Sequence, residues 1–86
     1  MNLQNQVVII TGASSGIGLA TAKLLAKQGA KLALVSRSKE KLERLSAELP
    51  NSLTVPTDIT RIYEIEAMVR KTMEHFGRID ILINCA

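Results

Sequence analysis

Tyrosine and phenylalanine occur once each in the 86 residues, as Tyr63 and Phe76, and tryptophan does not occur at all. So few rings exclude an aromatic platform of the kind that stacks single-stranded nucleic acid. Cysteine is equally scarce. Cys85 stands alone, forms no intramolecular disulfide, and fits a reducing compartment. No apolar run approaches the ~20 residues of a membrane-spanning helix. Residues 1–6 show neither the basic start nor the apolar core of a secretory signal, so a cytoplasmic setting is expected. A dominant sign of charge is missing too. The formal net charge is +3, and Lys23, Lys27, Lys31, Lys39, Lys41, Arg44, Arg70 and Lys71 are scattered along the chain. They read as solvated helix faces rather than a nucleic-acid footprint. No linker, repeat or low-complexity segment divides residues 1–86, which read as one domain or part of one.

What the chain does have is a regular alternation of short β-branched runs with longer amphipathic ones. Val7–Thr11, Lys31–Ser36, Leu53–Thr57 and Ile79–Asn84 read as strands. Ser15–Gln28, Lys39–Leu49 and Arg61–Phe76 read as helices. In the first helix Ile17, Ala20, Ala22, Leu24 and Leu25 form a broad apolar side. In the second Leu42, Leu45 and Leu49 do so, with Pro50 as the stop. In the third Ile62, Ile65, Val69, Met73 and Phe76 form one stripe, closed by Gly77. Alternation at this spacing implies an α/β fold, a doubly wound parallel sheet of β-α-β-α-β-α-β order. Three crossovers cannot cover both faces of four strands, so the expectation is the first part of a larger domain.

Between the first strand and first helix lies Thr11-Gly12-Ala13-Ser14-Ser15-Gly16-Ile17-Gly18. A glycine-rich turn here converges backbone N–H groups and the positive helix end on one point, which suits a pyrophosphate. Gly12 allows a sharp turn, Gly16 a close approach of ligand to backbone, and Gly18 close packing of the helix. Ser14 and Ser15 offer hydroxyls to phosphate oxygens or to the helix cap. A P-loop would need Lys-Ser/Thr after the last glycine, whereas Leu19-Ala20 follows here, so phosphoryl transfer is disfavoured.

The pattern T-G-x-x-x-G-x-G resembles the cofactor turn of the short-chain dehydrogenase/reductase family. Thr57-Asp58-Ile59 is similar to that family's acidic contact to adenine, with Ile59 packing nearby. Asn84-Cys85-Ala86 resembles the start of its N-N-A-G motif, with Cys85 in place of the second Asn. The resemblance covers essentially the whole chain. It implies a Rossmann-type fold, a nicotinamide dinucleotide, hydride transfer to or from a carbonyl or alcohol carbon, and usually a homo-oligomer. The implied dinucleotide contacts are Gly12, Ser14, Ser15, Gly16, Ile17, Gly18, Ser36, Arg37, Asp58, Ile59, Asn84 and Ala86.

An acidic residue at the end of the second strand selects NAD, whereas a nearby Arg accommodates the 2′-phosphate of NADP. Ser36-Arg37 stands there, so NADP is the expected cofactor. An S-adenosylmethionine methyltransferase is disfavoured at the same place, because it needs an acidic ribose anchor. The family's catalytic Ser and Tyr-x-x-x-Lys have no counterpart in this chain. Tyr63, followed by Glu64-Ile65-Glu66-Ala67, lacks the Lys four residues on. No catalytic residue and no metal ligand is assigned; His75 stands without partner ligands. The non-enzymatic alternative is a short product that binds the dinucleotide, or a partner, without catalysis.

Overall fold

The computed structural model describes residues 2–86. The element order is β1 (Val7–Thr11), α1 (Gly16–Lys27), β2 (Lys31–Ser36), α2 (Lys39–Glu48), β3 (Ser52–Pro56), α3 (Ile62–Phe76) and β4 (Ile81–Asn84). All strand pairs are parallel, in the order β3-β2-β1-β4. Every residue of β1 is buried, as a central strand with both faces covered requires.

Alternate residues of the strands feed two cores. Val8, Ile10, Leu32 and Leu34 meet Ala22 of α1 and Leu42, Leu45 and Leu49 at α2 on one face. Ile9, Ala33, Val35 and Val55 meet Met68 and Ile65 of α3 on the other. The chain thus winds outward from β1 over one face, then crosses by α3 and returns beside β1 as β4. No helix among the described residues is long and apolar enough to cross a membrane.

Most elements lie within a residue of where periodicity put them, and the differences have local causes. Pre-proline geometry takes Leu49 to φ −119° and ψ 108°, so α2 ends at Glu48. The β3 ladder starts at Ser52, after Leu32 N–H has bonded the Asn51 carbonyl at 3.1 Å. Pro56, with no N–H to give, ends it on an edge strand, where proline is tolerated. β4 begins at Ile81 rather than Ile79, because the residue before it is used as a clamp. Val7 N–H donates to Asp80 Oδ2 at 2.8 Å while Asp80 N–H donates to the Val7 carbonyl at 2.9 Å. Hydrogen bonds from the Arg78 guanidinium, then from Val7, hold the Asp80 carboxyl below its usual range, so it stays charged at neutral pH.

Two apolar stripes are corrected. In α1, Ile17 is 78% exposed and Leu24 59%, and Ala20 is exposed, while Gly18 and Ala22 face the sheet. In α3 the buried line runs through Met68 and Thr72, with Ile65 beside it. Ile62, Val69 and Met73 remain outside it, at 73%, 41% and 44% exposure. The cause is position. α3 lies over β3 and its neighbours, and Leu82 of β4, on the same sheet face, is 62% exposed. As expected for three crossovers, one flank of the sheet stays bare.

Candidate functional site at the strand ends

Because α1 and α3 leave β1 and β3 toward opposite faces, a crevice opens beyond the carboxyl ends of the strands, the place where ligands bind in open α/β sheets. A cleft of ≈ 520 Å³ lies there, running from Gly12 and Ser14 across the ends of β2 and β3 to Ala86. Its size falls in the range of small-molecule sites.

The glycine turn forms one wall. Ala13 N–H donates to the Val35 carbonyl at 3.2 Å and pins the turn to β2. The backbone N–H groups of Ser14, Ser15, Gly16, Ile17 and Gly18 then find no acceptor among the described residues. Ser15 flanks the helix in extended conformation, its hydroxyl makes no capping bond, and the first turn of α1 carries no acidic side chain. Of the two roles open to that hydroxyl in the sequence, the cap is not taken. An uncapped helix start with unpaired N–H donors is chemically suited to an anion.

The three glycines do different work. Gly12 has φ +68°, and a Cβ on it would strike the Cys85 carbonyl at 2.6 Å and the Ala86 nitrogen at 2.8 Å. It therefore turns the chain and also lets the end of β4 lie against the turn. A Cβ on Gly18 would fall within the Gly12 carbonyl, so helix and turn touch backbone to backbone. Gly16 has φ +56° with open space where its Cβ would stand. That space is the side from which a ligand would approach.

At the end of β2, Ser36 Oγ accepts the Ser38 N–H at 3.1 Å, and Ser38 Oγ accepts the Lys41 N–H at 3.4 Å, opening α2. Ser36, Arg37, Ser38 and Lys41 all line the cleft. Lys41 is exposed, as the sequence reading had it, and also borders the cleft, which that reading did not foresee. The signal was available: a capping Ser three residues earlier places Lys41 in the first turn of a helix that starts at the strand end.

Asp58 and Ile59 line the third wall, with Thr57 and Thr60. Thr60 donates both its N–H (3.0 Å) and its hydroxyl (2.6 Å) to Asp58 Oδ1. Those two bonds are the main reason the Asp58 carboxyl sits below its ordinary value; Arg61 and, more weakly, Arg37 pull the same way. Asp58 N–H donates to Glu64 Oε1 at 2.9 Å, and Arg61 Nε lies 3.6 Å from Asp58 Oδ2. The sequence reading missed Arg61 and Glu64, because neither type announces a loop anchor.

Asn84 is exposed and is not among the residues that line the cleft. Its Oδ1 accepts the Thr11 hydroxyl at 2.6 Å and the Ala86 N–H at 3.3 Å, tying β1 to the end of β4. Cys85 N–H donates to the Thr11 carbonyl at 3.1 Å. Ala86 reaches the cleft; Ile17 stands exposed at the start of α1. Tyr63 lies on α3, 62% exposed, its hydroxyl accepting from Arg61 Nη1 at 3.0 Å, and it is not among the cleft residues.

A family model described as short chain dehydrogenase matches residues 6–86. The chain belongs to the short-chain dehydrogenase family. An uncharacterized oxidoreductase of Staphylococcus haemolyticus is 51% identical over 86 residues, covering 98% of this chain and 37% of that protein. A crystal structure of a short chain dehydrogenase from Bacillus anthracis superposes with a TM-score of 0.92 at 44% identity, over 100% of this chain and 36% of that one. The 3-ketoacyl-(acyl-carrier-protein) reductase of Brucella melitensis, complexed with NADH, gives 0.90 at 41% identity, over 93% and 33%. The chain thus spans little more than a third of the length of these short-chain dehydrogenase relatives.

Proposed function

We propose that residues 1–86 form the first part of a dinucleotide-binding domain and hold NADP(H) for an oxidoreductase. The observation that carries this reading is the run of N–H groups from Ser14 to Gly18, which have no acceptor among the described residues and include Gly16, where a Cβ would meet open space. In this reading the pyrophosphate lies on that set, with the Ser14 and Ser15 hydroxyls beside it. Adenine packs on Ile59 and bonds Asp58, and the adenosine ribose lies against Ser36. Arg37 takes the 2′-phosphate with its planar fork. Asn84 acts mainly by holding β4 against β1, so that Ala86 borders the cofactor.

When bound, the nicotinamide would give or accept a hydride, and a carbonyl or alcohol would be the other reactant. This chain's residues bind and orient; none of them is placed to move a proton. The 86 residues alone are expected to bind the dinucleotide and to reduce no carbonyl. The NADH in the Brucella relative supports dinucleotide binding in general, and Ser36-Arg37 supports NADP in this chain.

A charge-assisted hydrogen bond contributes about 1.5–3 kcal/mol. NADPH should therefore bind about ten- to a hundredfold more tightly than NADH. Calorimetric titration of the chain with each reduced dinucleotide measures the ratio directly. Equal affinities would remove the NADP assignment while keeping the family's general one.

A further inference from the structure

The third wall of the cleft is fixed by two residues that do not line it, Arg61 and Glu64. We propose that they are positioning residues for the ligand's base. They set Asp58 so that it offers one free carboxylate oxygen, and the site thereby favours adenine over hypoxanthine, its oxo counterpart. The inference rests on the dinucleotide reading and deepens it, by naming what makes the base contact selective.

All but one of the polar atoms of Asp58 are engaged. Its N–H donates to Glu64 Oε1 at 2.9 Å, and its carbonyl accepts the Arg61 N–H at 3.1 Å. Oδ1 takes both the N–H and the hydroxyl of Thr60. Oδ2 has no hydrogen-bond donor among the described residues. Arg61 Nε stands 3.6 Å from it, a neighbouring charge rather than a hydrogen-bond partner.

The start of α3 explains the brace. Glu64 is the acidic residue of its first turn, where a Glu commonly reaches back to the N-cap N–H. Here the N-cap is Arg61, and its N–H is spent on the Asp58 carbonyl, so Glu64 reaches past it to the Asp58 N–H. That brings a second carboxylate beside the first. Arg61 offsets the repulsion, with Nε 3.6 Å from Asp58 Oδ2 and 3.8 Å from Glu64 Oε2. Its Nη1 donates to the Tyr63 hydroxyl at 3.0 Å. A guanidinium shared in this way does not close onto Oδ2 and occupy it. Thr60 first, and Arg61 after it, hold the carboxyl below its ordinary value, so Oδ2 is purely an acceptor at neutral pH. Such an oxygen accepts from the amino group of adenine and repels the carbonyl oxygen of hypoxanthine.

The test is calorimetric titration of the full chain with NADPH and with its analogue carrying hypoxanthine in place of adenine. Wild type, Glu64→Ala, Glu64→Gln and Arg61→Met are compared, with circular dichroism to check folding. Wild type should prefer the adenine form by about tenfold or more. Glu64→Ala should lose most of that preference, with NADPH binding about five- to tenfold weaker and the hypoxanthine form within about twofold. Glu64→Gln still accepts the Asp58 N–H and should keep most of the preference. Arg61→Met leaves the two carboxylates to repel each other and should lower the preference about threefold, less at high salt. Should Glu64→Ala not fold, Arg61→Met decides in its place. A preference that survives in Glu64→Ala or in Arg61→Met removes the positioning role of that residue, as does equal weakening of both ligands; the adenine contact then stands. Equal wild-type affinities overturn the adenine contact and this inference together, leaving the pyrophosphate site untouched. If wild type binds neither ligand, the dinucleotide reading fails and this inference falls with it.

Discussion

Gly16→Ala should leave a folded protein whose dinucleotide binding is weakened about a hundredfold or more, whereas Gly18→Ala, two residues on, should destabilise the fold itself by about 3 kcal/mol or more. The chemical change is the same and the surroundings are opposite. At Gly16 the new methyl meets open space, so the native-state cost is the left-handed backbone alone, about 1–2 kcal/mol. For a domain of this size that lowers Tm by roughly 5–15 °C. The methyl would stand between the N–H set and any pyrophosphate, and binding should weaken by about a hundredfold or more. At Gly18 the methyl has nowhere to go, since the Gly12 carbonyl and the Ala13 Cα already occupy the place. Backbone must move, at about 3 kcal/mol or more. Total stability for so short a chain is only on the order of 5–10 kcal/mol. Thermal melts and NADPH titrations of the two variants separate the effects. Normal binding by Gly16→Ala would mean that the pyrophosphate does not cross that glycine. A wild-type melt for Gly18→Ala would mean that helix and turn are not in contact.

The second large effect is expected from Ser36→Asp combined with Arg37→Ala. The turn itself should survive, because a carboxylate can accept the Ser38 N–H as the Ser36 hydroxyl does. Loss of the guanidinium removes about 1.5–3 kcal/mol of NADPH binding. The introduced carboxylate can accept hydrogen bonds from two ribose hydroxyls and repels a 2′-phosphate. Together these should move the NADPH to NADH affinity ratio by about a hundredfold or more toward NADH. An unchanged ratio would show that the β2 end does not contact the ribose.

Much of this was readable from the chain. The first strand was legible because it is buried on both faces and so appears as an unbroken β-branched run, Val7–Thr11. The glycine turn was legible because its spacing has few physical explanations. Less readable was anything that depends on where a neighbour stops. Ile62, Val69 and Met73 form a proper helical stripe, yet α3 turns its Met68–Thr72 line inward because its sheet contact lies over β3 and leaves Leu82 bare. Periodicity identifies an apolar side; it does not say which sheet residues will meet it. Lys41 and Arg61 were passed over for a related reason. A surface cation and a cleft cation look alike until two chain segments are brought together. Gly12 was assigned a turn, and its second duty, admitting the Cys85 carbonyl, needed the β1–β4 register to be seen.

The most direct measurement is a ¹⁵N–¹H NMR titration of the labelled chain with NADP. The largest shifts should fall on the N–H groups of Ser14 to Gly18, with a second group at Ser36, Arg37 and Ser38 and a third at Asp58 and Ile59. Repeating it with NAD should keep the first and third groups and largely lose the second. A dinucleotide that leaves the Ser14–Gly18 signals in place while moving others would contradict the assignment of this turn as the pyrophosphate site.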